Sequence, residues 1–115
     1  LYGSYAEEWS SERVFDLNNE GKSVFVNFTA AWCVTCKYNE KVVLNDPRVK
    51  KLFIDTETTF LIADWTNKNP KIAKELRAHG RAGVPLYLVY SDTSITPVIL
   101  PQTLSYNVIK NAIVK

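Results

Sequence analysis

Hydrophobic and polar positions change period several times along the chain, and each change predicts an element. Residues 4–23 place Ala6, Trp9, Val14 and Leu17 at imperfect helical spacing. They predict an amphipathic helix with Ser4 as N-cap, ended by the Asn-Asn-Glu-Gly run at 18–21. The apolar run Ser23–Ala30 is rich in β-branched and aromatic residues and predicts a buried strand. A helix is expected from Cys33 to Asn45. Asp46 as cap and Pro47 at the first helical position start a short helix or a kinked continuation. Residues 58–65 predict a second strand. Asn69, Pro70 and Gly80 bracket a further helix as cap, first position and stop. Residues 84–91 predict a third strand with Pro85 at its start, where proline is tolerated. Residues 96–100 form a weaker fourth strand. The closing helix, 105–115, carries a stripe of Val108, Ile109, Ala112 and Ile113.

Strands alternating with helices predict an α/β layered domain with crossover connections. The short link before residue 96 predicts that the last two strands form a hairpin. Repeats, low-complexity tracts and internal linkers are absent from the sequence.

Composition adds bounds rather than detail. At 115 residues the chain fits one domain with a real core. Its 46% hydrophobic and 23% charged residues describe a globular protein, not a disordered one. A net charge of +2 is too small to point to nucleic acid or an anionic membrane. No apolar run approaches the ~20 residues of a membrane span, and no signal peptide is visible. The chain starts at Leu1 and has no methionine; we expect a piece of a longer or processed protein.

The chemistry concentrates at Cys33 and Cys36, the two cysteines of the chain. A strand is expected to end and a helix to begin at Cys33. The unpaired N–H groups and dipole of a helix N-terminus favour a thiolate there over a thiol. The thiolate is the attacking species in disulfide exchange. Cys36, one turn further on, is within reach to resolve a mixed disulfide. A purely structural disulfide would close a loop too small to stabilise much. Zinc would want about four N or S ligands, whereas the chain adds only His79, far along the sequence. A metal site would need a second chain. A redox pair, a structural clip and a shared metal site are the three readings open at this point, with the residue types favouring the first.

The segment Val24–Lys37, "VFVNFTAAWCVTCK", resembles the active-site segment of thioredoxin-fold proteins. More narrowly, the chain resembles the C-terminal thioredoxin-like domain of the DsbD family of thiol:disulfide interchange proteins. The stretches at 33–53, 63–90 ("ADWTNKNPKIAKELRAHGRAGVPLYLVY") and 99–105 ("ILPQTLS") extend the resemblance from about Gly21 to Ser105. It implies a thioredoxin-like three-layer sandwich, a central mixed sheet flanked by helices, as a single domain of a longer membrane protein. Cys33 would be the exposed attacking thiolate and Cys36 the resolving thiol. Pro85 would be a cis-proline facing the cysteines, and Val84 would offer backbone hydrogen bonds to a bound partner segment. The resemblance further implies a reductase in the periplasm. Electrons would come from a membrane-embedded domain and pass to another periplasmic thiol protein. No cofactor beyond the cysteine pair, no metal and no nucleic acid are expected, and the isolated domain should be a monomer.

One position departs from the family pattern. Thioredoxins carry a buried aspartate six residues before the first cysteine; this chain has Asn27, an amide that cannot take up a proton at ordinary pH. Residues 33, 36, 37 and 40 share a helix face, and the DsbD-type domain carries a glutamate at the offset of Glu40. We expect Glu40 to lie partly buried beneath the cysteines and to accept or relay the proton of Cys36. The alternative is a solvated glutamate paired with Lys37. Trp32 is expected to pack beside Cys33 and shape the partner-binding surface. Thr35 stands where ordinary thioredoxin has proline. His79 is expected at a helix end, and Tyr87 and Tyr90 in packing. Two other functions remain open: an independent thioredoxin-like reductase, and a non-enzymatic module that binds a metal through both thiols.

Overall fold

The computed structural model describes residues 5–91 and 96–113. The elements in chain order are β1 (Ala6–Glu8), α1 (Ser11–Asn19), β2 (Ser23–Thr29), α2 (Val34–Asn39), a π-helical turn (Glu40–Leu44), α3 (Pro47–Asp55), β3 (Thr58–Asp64), α4 (Pro70–Ala78), β4 (Leu86–Tyr90), β5 (Val98–Ile99) and α5 (Tyr106–Ile113). Among the described residues the sheet has five strands in the order β1-β3-β2-β4-β5. β3 pairs in parallel with β1 and β2, while β4 runs antiparallel to β2 and to β5. The expected hairpin of the last two strands is present.

Strand parity sorts the core into two layers. On one face Val24, Val26 and Phe28 of β2 and Leu86, Leu88 and Tyr90 of β4 pack on α1 and α4 through Val14, Leu17, Ile72 and Leu76. On the other face Phe25, Phe60, Tyr87 and Val89 pack on the π turn, α3 and α5 through Leu44, Phe53 and Ile109. The result is the expected three-layer α/β sandwich. β2 is covered on both faces, which explains its nearly unbroken apolar run.

Two of the caps expected from the sequence, Asp46 and Asn69, are in place. Asp46 accepts from the Arg48 N–H and Asn69 from those of Lys71 and Ile72, each just before its proline. Gly80 follows α4 at φ +75°, a backbone region that favours glycine.

The first segment is a correction. Residues 6–8 form a strand, not the first turns of a helix, and pair with Phe60–Ile62 of β3. The Trp9 N–H continues the ladder to the Ile62 carbonyl at 2.8 Å. The helix starts at Ser11, capped by extended Ser10, whose hydroxyl accepts from the Arg13 N–H. The spacing of Ala6 and Trp9 is compatible with a helix, but the free edge of β3 offers backbone partners that outweigh local periodicity. Trp9 reaches the core from the strand end, against Phe28. The proposed cap Ser4 lies outside the described residues.

Candidate active site

β2 delivers the chain to the C-terminal edge of the sheet, and residues 30–32 turn it into α2. Cys33 is the N-cap of α2, and its Sγ accepts from the Cys36 N–H at 3.1 Å. The two cysteines are joined as a disulfide, with their Cα atoms 5.2 Å apart. Cys36 is fully buried and Cys33 is 8% exposed. Cys33 is thus less open than expected, because in the disulfide its sulfur is held against the first turn of α2. What accessibility the pair has is nevertheless at Cys33.

Ala30, Cys33 and Cys36 form their own small cluster, and Val84 packs against it. The Val84–Pro85 peptide bond is cis. The cis-proline segment and the cysteines, some fifty residues apart in the chain, therefore meet where the sheet ends.

Trp32 is half exposed beside Cys33 and is held from its far side. Its Nε1–H donates to the Thr66 carbonyl at 3.0 Å, and the Ala31 N–H donates to Thr66 Oγ1 at 2.8 Å. Thr66 is in turn fixed by Asp64, which accepts from both its N–H and its hydroxyl. The Trp32 ring lies 5.9 Å from Trp65, and Lys68 Nζ sits over both indoles, at 5.2 and 4.8 Å. Trp65 also faces the backbone of Gly83, where an added Cβ would lie 3.6 Å from its ring. It thus supports Trp32 on one side and the cis-proline segment on the other.

One helical turn past Cys36 lies a buried polar cluster around Glu40, whose N–H donates to the Cys36 carbonyl. Glu40, the first residue of the π turn, is 2% exposed. Its Oε2 accepts from the Thr29 hydroxyl at 2.6 Å and from Asn27 Nδ2 at 3.2 Å, and its Oε1 accepts from Lys37 Nζ at 2.9 Å. Glu40 is not the solvated glutamate of the alternative reading: it is buried, and only the pairing with half-exposed Lys37 holds from that reading. A carboxylate offers about four acceptor positions; three are taken, which leaves room for one more proton. Asn27 replaces the expected acid and is bonded to the acid that remains. Its Oδ1 is buried without a hydrogen-bond partner among the described residues.

The sequence pattern does not mark Thr29 or Asn39, and it places Tyr87 in packing, where its ring is fully buried. Asn39 donates to the Tyr87 hydroxyl at 2.9 Å and to the Gln102 carbonyl at 2.7 Å, and accepts from the Leu104 N–H at 3.2 Å. Burial pushes the Tyr87 phenol up to about 12; Asn39's hydrogen bond opposes this and the negative charge of Glu40 adds to it. A signal for the cluster existed in strand parity. Asn27 and Thr29 share the face of Phe25, the face of Tyr87 across the β2–β4 pairing.

His79 caps the C-terminal end of α4 and meets Glu75 at 3.0 Å, in keeping with a helix-end role. Among the described residues no three His, Cys, Asp or Glu side chains converge as a ligand set. No described helix is long and apolar enough to cross a membrane.

A thioredoxin-like family profile matches residues 5–91, and the chain belongs to the thioredoxin-like family. The thiol:disulfide interchange protein DsbD of Photorhabdus laumondii is 32% identical over 84 residues, which are 73% of this chain and 14% of that protein. DsbD of Salmonella typhimurium is 36% identical over 72 residues, 63% of this chain and 12% of that protein. The chain therefore spans only a small part of the length of these relatives. Among solved structures, the oxidised C-terminal domain of Neisseria meningitidis DsbD superposes with a TM-score of 0.65 at 23% identity, covering 89% of this chain and 90% of that one. A Thermus thermophilus thioredoxin gives 0.68 at 20% identity, covering 93% and 83%. These structural likenesses establish the fold, within which Cys33 and Cys36 form a disulfide-bonded pair at the start of α2.

Proposed function

We propose that this chain is an electron-relay domain that reduces the disulfide of a partner protein, in the manner of a DsbD C-terminal domain. The observation that carries the reading is the Cys33–Cys36 pair at the start of α2, with Val84 of the cis Val84–Pro85 bond packed against it and a buried carboxylate, Glu40, one helical turn past Cys36. In the reduced domain the Cys33 thiolate attacks one sulfur of the partner disulfide. The Cys33–partner bond forms, the partner's own S–S bond breaks, and the departing thiolate takes a proton from water. Cys36 then gives its proton to Glu40, and its thiolate attacks Cys33 Sγ. The Cys33–Cys36 disulfide forms, the mixed disulfide breaks, and the partner leaves with two electrons and, after protonation, two thiols.

In this reading Trp32, Val84 and Pro85 hold the partner segment, Val84 through its backbone. Lys37 offsets the charge of Glu40 from the solvent side. No cofactor takes part beyond the disulfide itself. Electrons would reach the pair from a membrane-embedded donor and leave to a periplasmic thiol protein, with this domain in the periplasm. The support for donor, acceptor and compartment is the likeness to DsbD.

Equilibrium titration of the Cys33–Cys36 pair against glutathione tests the direction of flow. A potential near thioredoxin's roughly −270 mV is expected of a reductant; one near −120 mV would make the domain an oxidant and overturn the proposal.

A further inference from the structure

The surface of α2 that points away from the sheet is not the polar face expected of a solvated helix. Val34 is 83% exposed, Tyr38 55% and Val42 50%. They stand four residues apart. In an α-helix a step of four slightly overshoots a turn; in the wider π turn that begins at Glu40 it falls slightly short. The two deviations offset, so the three side chains stay in line. Apart from Trp32, already placed beside Cys33, the other large exposed apolar residues, Phe15, Ile54, Val98 and Ile99, are spread over three elements, as is normal for a protein surface.

The stripe begins at the residue after Cys33 and runs away from it. Val42 lies nine residues on, about 13 Å at helical rise. An interface of about 800 Å² per partner, centred on Cys33, would extend roughly 16 Å in each direction. A folded partner that brings a sulfur to Cys33 is therefore of the right size to cover the stripe as well. Charge narrows the choice. Between residues 31 and 45 the exposed charges are Lys37 and Lys41, both positive, because Glu40 is buried.

We propose that Val34, Tyr38 and Val42 form a docking rail for the redox partner, a folded thiol protein presenting an apolar strip edged by carboxylates. This rests on the exchange chemistry proposed above. The cysteine pair would select for a disulfide, and the rail would select which protein carries it.

The test uses the chain as its own cells make it, with Cys36→Ser to trap the mixed disulfide at Cys33 and p-benzoylphenylalanine in place of Tyr38 as a photo-crosslinker. The expected result is that the polypeptide disulfide-bonded to Cys33 is also the one crosslinked at position 38, through a segment rich in Asp or Glu. In a second arm, Tyr38→Ser with Val42→Ser lowers the yield of that adduct at least about fivefold. Reaction with glutathione disulfide, too small to reach the rail, stays within about twofold. A crosslink to a different polypeptide, to a second copy of this chain or to nothing overturns the rail, as does an undiminished adduct in the double variant. Each of those outcomes leaves the redox reading standing. Absence of any Cys33 adduct overturns both.

Discussion

Asn27 and Glu40 are hydrogen-bonded to each other in the interior, the amide Nδ2 of one donating to Oε2 of the other at 3.2 Å. The strand thus contributes a donor to the buried carboxylate rather than a second acid. Asn27→Asp should set two carboxylates face to face, and such a pair holds a proton between them when folded. The folded protein then binds a proton that the unfolded chain releases near pH 4. Stability is present at low pH and lost as pH rises. We expect a cost of about 2–4 kcal/mol at pH 8 and clearly less at pH 4–5, read from urea denaturation. Equal losses at both values would contradict the arrangement.

Much of this site could be read in the sequence, and what could not has a common cause. Glu40 was legible because its relation to Cys36 is local, one helical turn. The caps Asp46 and Asn69 were legible for the same reason. Strand β1 was not: residues 6–8 are extended because β3, more than fifty positions later, presents an open edge. Thr29 and Asn39 were not legible, because Thr29 meets Glu40 across the β2–α2 turn and Asn39 meets Tyr87 and residues 102–104, nearly fifty positions and more later; Tyr87 was legible as packing, but not as a partner of Asn39.

The approach of residues 102–104 to α2 depends on Asn39. Asn39→Ala removes three hydrogen bonds and leaves the Leu104 N–H and the Gln102 carbonyl to find others. The expected loss is about 2–4 kcal/mol of unfolding free energy, measured in the oxidised state so that the disulfide is constant. A loss below about 0.5 kcal/mol would mean that water replaces these bonds without cost.

Tyr87 supplies an alkaline signature. Its phenol is pushed up to about 12 by burial, against about 10 in an unfolded chain. Its contribution to stability is therefore complete below pH 10 and falls as pH rises toward 12. Tyr87→Phe should reduce the loss of stability across that window; Tyr90, also pushed up to about 12, accounts for part of the remainder. Identical alkaline profiles for the two proteins would contradict the burial of the phenol.

Trp65 supports both Trp32 and the cis-proline segment. Trp65→Ala should cost about 3–5 kcal/mol, as expected for an emptied indole site, and should also slow exchange with protein disulfides by loosening both sides of the docking cleft. Equilibrium denaturation and insulin reduction report the two effects separately. Unchanged values in both would remove Trp65 from the account.

In the proposed resolving step Glu40 takes the proton of Cys36. The direct measurement is thiolate absorbance against pH in reduced protein, wild type beside Glu40→Gln. Glutamine keeps the size and an acceptor oxygen but cannot receive the proton. The variant's titration curve for the cysteines is expected to differ from wild type by more than about half a pH unit, with resolution of a Cys33 mixed disulfide slowed about tenfold or more. Superimposable titration curves and equal resolution rates would contradict it.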